Sequence, residues 1–461
     1  MNAVNTTMAR PGLGAEARAT LVLSGPIVLT NLSQMALALT ESLLLGRLGT
    51  EALAAGMLAT SLYFALIAPG FGLALAAAPL QAQARGAARL CGGAARGWLR
   101  EMRRATRAAL WASALALLPA WALLWHTAPL LRALGQDPAL ALLAQDYARA
   151  AMFGMPAFCA FIALRGFLAA MERPAAAMWV AVAAVALNLP IAWLLIFPAG
   201  LGVWGAGLSV AIANTAMLAA LLWLIRRDRV FRRFRLLGRA WRPDPARLAR
   251  VAALGGPIAA SMLLEIGIFS AAALAMGWFG AAAVAAHAIA IQTASTTFMV
   301  PMGIGQAATA RVGLAIGAGQ PAGAARAGWV AIGLGAGFMA LMAAMLLFTA
   351  GAIARGFIDP ADARAAEVAA LGATLLAVAG VFQLADGVQV VAAGALRGLA
   401  DTRVPMLFAA LGYWVLGLPA GLALGWWAGL GPAGIWMGLA TGLAIVAVLM
   451  LARWRRLSAL A

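Results

Sequence analysis

The sequence has few charged residues and no lysine. Only 10% of its 461 residues are charged, whereas 64% are hydrophobic, and its 33 basic residues are all arginines. A water-soluble domain carries more charge than this on its surface. Apolar stretches of about 20 residues, the length of a transmembrane helix, recur along the chain. The composition therefore predicts a polytopic membrane protein and argues against a soluble one.

Lysine, cysteine and histidine are too scarce for several common kinds of site. A P-loop for a nucleotide is excluded, because that motif requires a lysine. The two cysteines, Cys91 and Cys159, cannot build a disulfide framework. The two histidines, His126 and His287, lie in different halves of the chain, which argues against both a zinc site and a membrane enzyme. We expect no cofactor and no enzymatic activity.

Twelve apolar segments are long enough to cross a membrane as helices. The second, eighth and tenth are long, so we expect them to be tilted or to extend into the interface. The predicted spans are 20–46, 53–82, 108–131, 144–169, 175–198, 203–225, 251–278, 283–314, 328–352, 366–395, 404–427 and 431–452.

The arginines fall mainly on one side of these predicted helices. Seven lie at residues 85–107, after helix 2, and ten lie at residues 226–250, after helix 6. Only five of the 33 lie on the opposite side. Because basic loops mark the cytoplasmic side, we expect both termini and the 226–250 linker to be cytoplasmic. We interpret the arginines as topology signals that contact lipid headgroups, and we expect no nucleic-acid partner.

The chain repeats itself after about 231 residues. Gly25-Pro26-Ile27 returns as Gly256-Pro257-Ile258, and Gly72 returns as Gly303. Leu164-Arg165-Gly166 returns as Leu396-Arg397-Gly398, at an offset of 232. A single match means little in so glycine-rich a chain, but a constant offset over most of its length predicts two related halves.

Six helices in each half make the repeat parallel, with an axis along the membrane normal. We therefore expect an all-α membrane protein of two pseudo-symmetric six-helix bundles with a central cleft, an architecture that many secondary transporters share. The predicted lobes are residues 1–225 and 251–461, joined by the arginine-rich linker 226–250.

Three carboxylates lie inside predicted transmembrane helices and away from the helix ends: Glu41, Glu265 and Asp386. A charged group at the bilayer centre costs at least roughly 2.5–3.5 kcal/mol, so such a residue faces a wet cavity, pairs with another group or is protonated. At about 1.5 Å of rise per residue, Asp386 lies about 16 Å and Glu265 about 22 Å from the arginine-rich side. Both belong to the second half, so they could share one site for a proton or a small cation such as Na⁺.

Glu41 belongs to the first half and lies nearer the opposite side of the membrane. Arg47, one or two turns further along the same helix, could simply pair with it. The sequence leaves three roles open for Glu41: a second ion site, a ligand for a substrate, or a partner of Arg47.

Polar residues near these acids are candidates to complete a site. They are Gln34, Asn188, Gln292, Thr293, Ser295, Thr296 and Gln383. Hydroxyls and amides in membranes commonly just bond across helices, so each alone favours a structural role. A lone histidine such as His287 is also more often a satisfied structural residue, although its titration near neutral pH keeps a coupling role open.

These residues stand in stretches that resemble the bacterial NorM-type branch of the MATE family, multidrug and toxic compound extrusion. The resemblance covers almost the whole chain. It is most specific in "GGPIAASMLLEIGIFSAAALAMGWFG", "AAHAIAIQTASTTFMVPMGIGQAATARVG", "QLADGVQVVAAGALRGLADTRVPM" and "YWVLGLP", and it includes "GPIVLTNLSQMALALTESLLLGRLGTEALAA" and "LRGFLAAMERP".

The resemblance implies a multi-pass exporter of drugs and other organic cations, driven by exchange for Na⁺ or H⁺, in a bacterial inner membrane. It implies two six-helix bundles around a V-shaped cleft. It also implies a cation site at Glu265 and Asp386, and a site in the first half that includes Glu41 and Asn188. We expect a monomer in contact with membrane lipids.

The sequence departs from the family pattern at three positions. Phe382 stands where many members have a tyrosine, four residues before the helix 10 acid, and it offers no oxygen to a Na⁺ ion. Ala192 stands where some members have an aspartate, and Glu41 is one methylene longer than the usual aspartate. Glu265 and Asp386 nevertheless suffice for a proton site.

Three alternative functions, a flippase, a membrane enzyme and a channel, each require a different chemistry. A lipid-linked oligosaccharide flippase of the same broad superfamily usually needs a basic central cavity for phosphates, whereas the intramembrane charges here are acidic. An integral membrane enzyme would need clustered catalytic groups near one face. A channel would need a symmetric filter, which acids at two depths in two halves do not suggest.

Overall fold

The computed structural model describes residues 12–90, 97–238, 242–359 and 364–460. Within these ranges it has twelve helices that are long and apolar enough to cross a membrane, and no strand. The first six are α1 (Leu13–Leu48), α2 (Thr50–Leu90), α3 (Gly97–Trp125), α4 (Pro138–Ala170), α5 (Ala175–Ile196) and α6 (Gly202–Arg227). The second six are α7 (Pro245–Gly277), α8 (Ala281–Gly317), α9 (Pro321–Gly356), α10 (Ala365–Gly398), α11 (Arg403–Trp426) and α12 (Gly431–Ala459).

This architecture confirms the all-α fold class, with two six-helix halves around a cleft. The predicted position of the third helix, 108–131, was wrong at both ends. α3 begins at Gly97, because its arginine-rich first turns are amphipathic and bury Met102 and Ala105, which a search for purely apolar stretches does not detect. It ends at Trp125, before a turn at His126 and a short helix, Thr127–Ala133.

The linker predicted at 226–250 is partly helical. Asp244 caps the N-terminus of α7 by accepting a hydrogen bond from the Arg247 backbone N–H, so α7 begins at Pro245. The Arg104 side chain donates a hydrogen bond to Asp244 and thereby lowers the pKa of that carboxyl. A 3₁₀ turn, Phe231–Phe234, packs its two phenylalanines on Phe167 of α4. These contacts fix the linker to the first half of the chain.

The two halves meet through glycines that allow their backbones to touch. A Cβ atom on Gly72 of α2 would lie 2.6 Å from the backbone nitrogen of Ala259 on α7. A Cβ atom on Gly303 of α8 would lie 3.0 Å from the backbone nitrogen of Val28 on α1. Residues 72 and 303 are 231 positions apart, and so are residues 28 and 259. The contact therefore occurs twice, once in each direction across the pseudo-two-fold axis.

A second pair of glycines repeats this arrangement closer to the arginine-rich ends of α2 and α8. Gly86 packs against the backbone of Leu314, and Gly317 packs against the backbone of Gln83. The same offset of 231 residues relates the two contacts. The halves are thus in direct backbone contact on the side that carries the arginine clusters 85–107 and 226–250, which we call the arginine-rich face.

Ion pairs reinforce the contact at this face. Arg311, near the end of α8, pairs with Glu16 of α1 at 2.7 Å and with Glu172, after α4, at 3.0 Å. Arg247 of α7 pairs with Glu101 of α3 at 2.6 Å. Each of these three pairs joins one half of the chain to the other. Glu16 is buried, so its pairing with Arg311 compensates for the loss of hydration.

α11 contains a π-helical segment, Ala410–Gly417. Gly412 and Gly417 both pack against Gly442 of α12. Residues five apart in an α-helix point about 140° away from each other. The wider π turn brings both glycines onto the face that contacts α12, and it also changes the direction in which the residues between them point.

We predict that adding a methyl group at the contact between the halves destabilises the protein. Gly72→Ala and Gly303→Ala place a Cβ atom within about 3 Å of rigid backbone, and overpacking of this kind costs about 1–3 kcal/mol. The measurement is the thermal midpoint of the purified protein in detergent, which should fall in both variants.

Gly333→Ala in α9 is the matched control, because a Cβ atom there meets open space. Alanine is the better helix former, so the midpoint of this variant should stay or rise. Equal midpoints for all three variants would show that the stability of the contact between the halves does not depend on these glycines.

Candidate functional site

The two acids of the second half lie on two different helices and interact with each other. Glu265 projects from α7 and Asp386 from α10, and they interact electrostatically. Asp386 is buried, whereas Glu265 borders a cavity. The structure therefore brings together the two residues that the sequence placed at similar depth. Two carboxylates this close repel each other when both are charged, so the pair favours a bound cation or a shared proton.

The cavity beside Glu265 has a volume of about 80 Å³. Gln389 and Tyr413 line it at the same end as Glu265, and Arg397, Asp401 and Thr402 line it towards the arginine-rich face. A water molecule occupies roughly 30 Å³ in the liquid, so the cavity has room for an ion with part of its hydration shell. The acid pair thus opens on one side into a space lined by polar groups.

Phe382 does not contribute to this polar lining. Its side chain is fully buried, with its ring centroid 6.1 Å from that of Phe269 and 5.6 Å from that of Trp436. Both contacts are edge-to-face, which is a favourable geometry for aromatic rings. Phe382 therefore belongs to an aromatic cluster that packs one side of the acid pair.

His287 has a structural partner. The indole N–H of Trp436 donates a hydrogen bond of 3.1 Å to Nδ1 of His287, which is buried in α8. A ring nitrogen that accepts a hydrogen bond carries no proton, so this contact requires the neutral histidine, with its proton on Nε2. The arrangement fits the structural role that the sequence favoured.

Glu41 is buried in the first half and pairs with a tyrosine. The hydroxyl of Tyr147 on α4 donates a hydrogen bond of 3.0 Å to Oε2 of Glu41. Tyr63 of α2 also lies within electrostatic range of this carboxyl. Arg47, the partner that the sequence left open, is exposed and forms no ion pair with Glu41 among the described residues. Because α1 turns by about 100° per residue, these two side chains point in different directions.

Several buried amides have no hydrogen-bond partner within the described part of the chain. Both side-chain atoms of Asn188 on α5 and of Gln383 on α10 are of this kind, as is Nε2 of Gln34 on α1. Unpaired buried amides are costly, so these groups are available to a ligand, an ion or a water molecule. Asn188 and Gln34 lie on helices α5 and α1, which pack against each other.

Two of the three hydroxyl candidates of α8, Thr293 and Thr296, are satisfied within their own helix. Thr293 donates to the Ile289 carbonyl and Thr296 donates to the Gln292 carbonyl. Gln292 itself is half-buried. The structure does not bring these residues into the polar end of the cavity beside Glu265.

Sequence reasoning missed the tyrosines. The chain has 17 phenylalanines but only three tyrosines, and all three lie beside the intramembrane acids: Tyr63 and Tyr147 near Glu41, and Tyr413 near Glu265 and Asp386. The scarcity of tyrosine was a usable signal, because a buried hydroxyl needs a partner that phenylalanine does not need.

A buried arginine was also missed, although the repeat included it. Arg165 of α4 donates a hydrogen bond of 2.9 Å to the side-chain oxygen of Asn31 on α1. Its counterpart in the repeat, Arg397, lines the far end of the cavity beside Glu265. The repeat thus places one arginine at the same position in each half.

The MatE family model matches the chain at residues 26–194 and again at residues 257–422. The chain belongs to the MatE family. The two matches begin 231 positions apart, so the family model and the glycine contacts identify the same repeat. Membership is consistent with the twelve-helix architecture and its two related halves.

Curated relatives support this membership over the full length. The chain is 45% identical over 446 residues to the "Probable multidrug resistance protein NorM" of Mesorhizobium japonicum, which covers 96% of this chain and 94% of the relative. It is 43% identical to the protein of the same name from Brucella suis, over 96% and 93% of the two chains. The structure of the eukaryotic MATE transporter AtDTX14 is similar in fold, with a TM-score of 0.86, 20% identity and coverage of 97% and 98%.

We predict that removing the donor to His287 destabilises this MatE family member without changing its response to ions. Trp436→Phe leaves the buried Nδ1 of His287 without a partner, which costs about 1–3 kcal/mol. The double variant Trp436→Phe with His287→Phe removes both polar partners and should recover part of this loss. Thermal midpoints measure the first effect and ion-dependent transport the second. A change in ion dependence with an unchanged midpoint would give His287 a functional role instead.

Proposed function

We propose that this protein exports lipophilic organic cations in exchange for Na⁺ or H⁺. The observation that carries the proposal is the pair of acids, Glu265 and Asp386, which interact inside the second bundle, where Glu265 borders a polar cavity. Two intramembrane carboxylates are expensive, and their default interpretation is functional. The names of the relatives, multidrug resistance proteins, support the substrate class.

The exchange follows from competition for negative charge. An ion that reaches Glu265 and Asp386 neutralises them, and a cationic substrate in the cleft then loses its electrostatic attraction to them. When the ion leaves, the charge returns and favours substrate again. The two halves rock between states open to either side of the membrane, as in other transporters built from repeats.

The orientation and location belong to the same proposal. The arginine-rich face lies in the cytoplasm, with both termini on that side, and the membrane is the inner membrane of a bacterium. The functional units are the lobes 1–225 and 251–461, joined by the linker 226–250. The protein works as a monomer surrounded by lipid and uses no cofactor.

In this proposal, Glu41 forms a second polar site, which lies in the first lobe. Its Oε1 atom is buried without a partner among the described residues, and Asn188 offers an amide that is also unpaired. These groups are suited to a proton or to a substrate cation. A lipid-linked oligosaccharide flippase is less well supported, because the acids Glu41, Glu265 and Asp386 would repel a phosphate.

We predict that Asp386→Asn abolishes ion-driven export while the protein still inserts and folds. The amide cannot alternate between a charged and a neutral state, so the exchange has no charge to compete for. The measurement is ethidium efflux from proteoliposomes under an imposed gradient.

Glu367→Gln is the control, because this carboxylate is exposed in the first turn of the same helix, α10. It should export at the wild-type rate. Normal export by Asp386→Asn would contradict the exchange mechanism.

We predict that a single gradient suffices to drive export by the wild-type protein. One experiment imposes a Na⁺ gradient at constant pH, and a second imposes a pH gradient in the absence of Na⁺. Export driven by Na⁺ alone means that oxygens other than the two acids complete a Na⁺ site. Export driven by protons alone means that the acids act as a protonation switch. Absence of ethidium export in both experiments would contradict the proposed function and favour the flippase.

A further inference from the structure

Tyr413 is the third polar group at the acid pair. It is buried on α11, and both Glu265 and Asp386 lie within electrostatic range of its hydroxyl. The side chain of Gln389, from α10, lies beside the same hydroxyl. Three helices, α7, α10 and α11, therefore direct oxygen-bearing side chains to one place.

Trp414, the residue after Tyr413, fixes α11 to α7 beside the acid pair. The indole N–H of Trp414 donates a hydrogen bond of 3.1 Å to the carbonyl oxygen of Leu264, the residue before Glu265. Gly267, half a turn further along α7, leaves room for the Trp414 ring, since a Cβ atom there would lie 2.8 Å from it. The bond joins the backbone next to Glu265 to the residue next to Tyr413, so the two side chains cannot separate without breaking it.

The π-helical segment Ala410–Gly417 gives Tyr413 its direction. Gly412 and Gly417 hold this segment against α12, and Tyr413 lies between them. π turns cost hydrogen-bond quality and are found frequently at functional sites. Here the turn allows one face of α11 to pack on α12 while Tyr413 and Trp414 are directed at α7 and α10.

Tyr413 lines the cavity beside Glu265. Tyr413, Gln389 and Glu265 border the same space of about 80 Å³. The positively charged Arg397 borders it at the opposite end and disfavours a cation there. A small cation is therefore held at the end where Glu265, Tyr413 and Gln389 meet.

A phenol is chemically suited to this place. It donates a hydrogen bond to a charged carboxylate, and its oxygen lone pairs coordinate a hard cation. Phe382, which packs on the other side of the acid pair, supplies no oxygen. In the first half of the chain the hydroxyl of Tyr147 donates a hydrogen bond to Glu41, which shows the chemistry that a tyrosine provides to a buried acid in this protein.

We propose that the hydroxyl of Tyr413 is the third oxygen donor of the ion site formed by Glu265 and Asp386, and that it extends this site into the adjoining cavity. The inference rests on the proposed ion exchange and adds a specific residue to it. Gln389 orients the hydroxyl, and Trp414 is a positioning residue that holds α11 against α7. The occupant is the coupling ion, Na⁺ or a hydrated proton.

The test compares Tyr413→Phe with the wild-type protein in the proteoliposome assay, using the gradient that drives wild-type export. Loss of one hydrogen bond to a charged group should raise the ion concentration for half-maximal export by about tenfold. Equilibrium binding of ethidium without a gradient should stay within about twofold, because the variant keeps both acids and the aromatic ring. Trp427→Phe, at an exposed position directly after the end of α11, is the control and should match the wild type in both measurements.

A second variant and a second measurement distinguish a weakened ion site from misfolding. Gln389→Met keeps the side-chain volume and should shift ion dependence in the same direction by a smaller factor. If Na⁺ is the coupling ion, it should raise the thermal midpoint of the wild type, and less so that of Tyr413→Phe.

The outcomes separate the inference from the function on which it rests. Absence of export by the wild type would overturn the proposed exchange itself. Export by the wild type with unchanged ion dependence in both Tyr413→Phe and Gln389→Met would overturn only the role of Tyr413. Equal losses of ion response and ethidium binding in Tyr413→Phe would reduce Tyr413 to a structural residue and also overturn it.

Discussion

The direct contact of backbones across the two halves is the constraint on which the rest of the structure depends. Gly72 and Gly303 allow α2 to touch α7 and α8 to touch α1, and the pseudo-two-fold axis passes between these contacts. Small residues at helix contacts are the usual means of association in a membrane, where no hydrophobic effect drives helices together. While the halves touch at these points, the acids in each bundle keep a defined depth relative to the cleft.

The repeat builds the scaffold, but the polar groups break its symmetry. Position 34 in the first half corresponds to position 265 in the second, and it holds a glutamine where the second half has Glu265. Leu189-Pro190 returns as Leu418-Pro419 at an offset of 229, and at this offset Ala184 stands in the first half where the second half has Tyr413. One half thus concentrates two acids and a phenol at a single site, whereas the other has one acid with two phenols. Two related bundles therefore offer two chemically different sites to ions and substrates.

Hydropathy, arginine position and the repeat predicted twelve helices, two halves and the depth of Glu265 and Asp386, because each depends on local composition or on spacing along a helix. The start of α3 at Gly97 was missed, because a search for apolar runs does not detect arginine-rich helical turns outside the apolar core. Partners that lie on other helices were also missed. The pairing of Glu41 with Tyr147 joins residues 106 positions apart, and Tyr413 points at Glu265 only because a π turn redirects α11. Such contacts follow from tertiary packing, which spacing along the chain does not encode.

The contacts at the arginine-rich face are of a kind that can be made and broken repeatedly. Glu101, Arg247 and Glu172 are partly exposed, and exposed ion pairs contribute about 0–1 kcal/mol each. The glycine contacts add van der Waals attraction that depends on close approach and is lost once the backbones separate. Among the ion pairs described above between the halves, Glu16–Arg311 has the most deeply buried acid, and its partner cannot be removed without penalty. Many weak contacts and one stronger pair close the cleft at the arginine-rich face. Because most of them are weak, the energy of an ion gradient is enough to break them and open this end of the cleft.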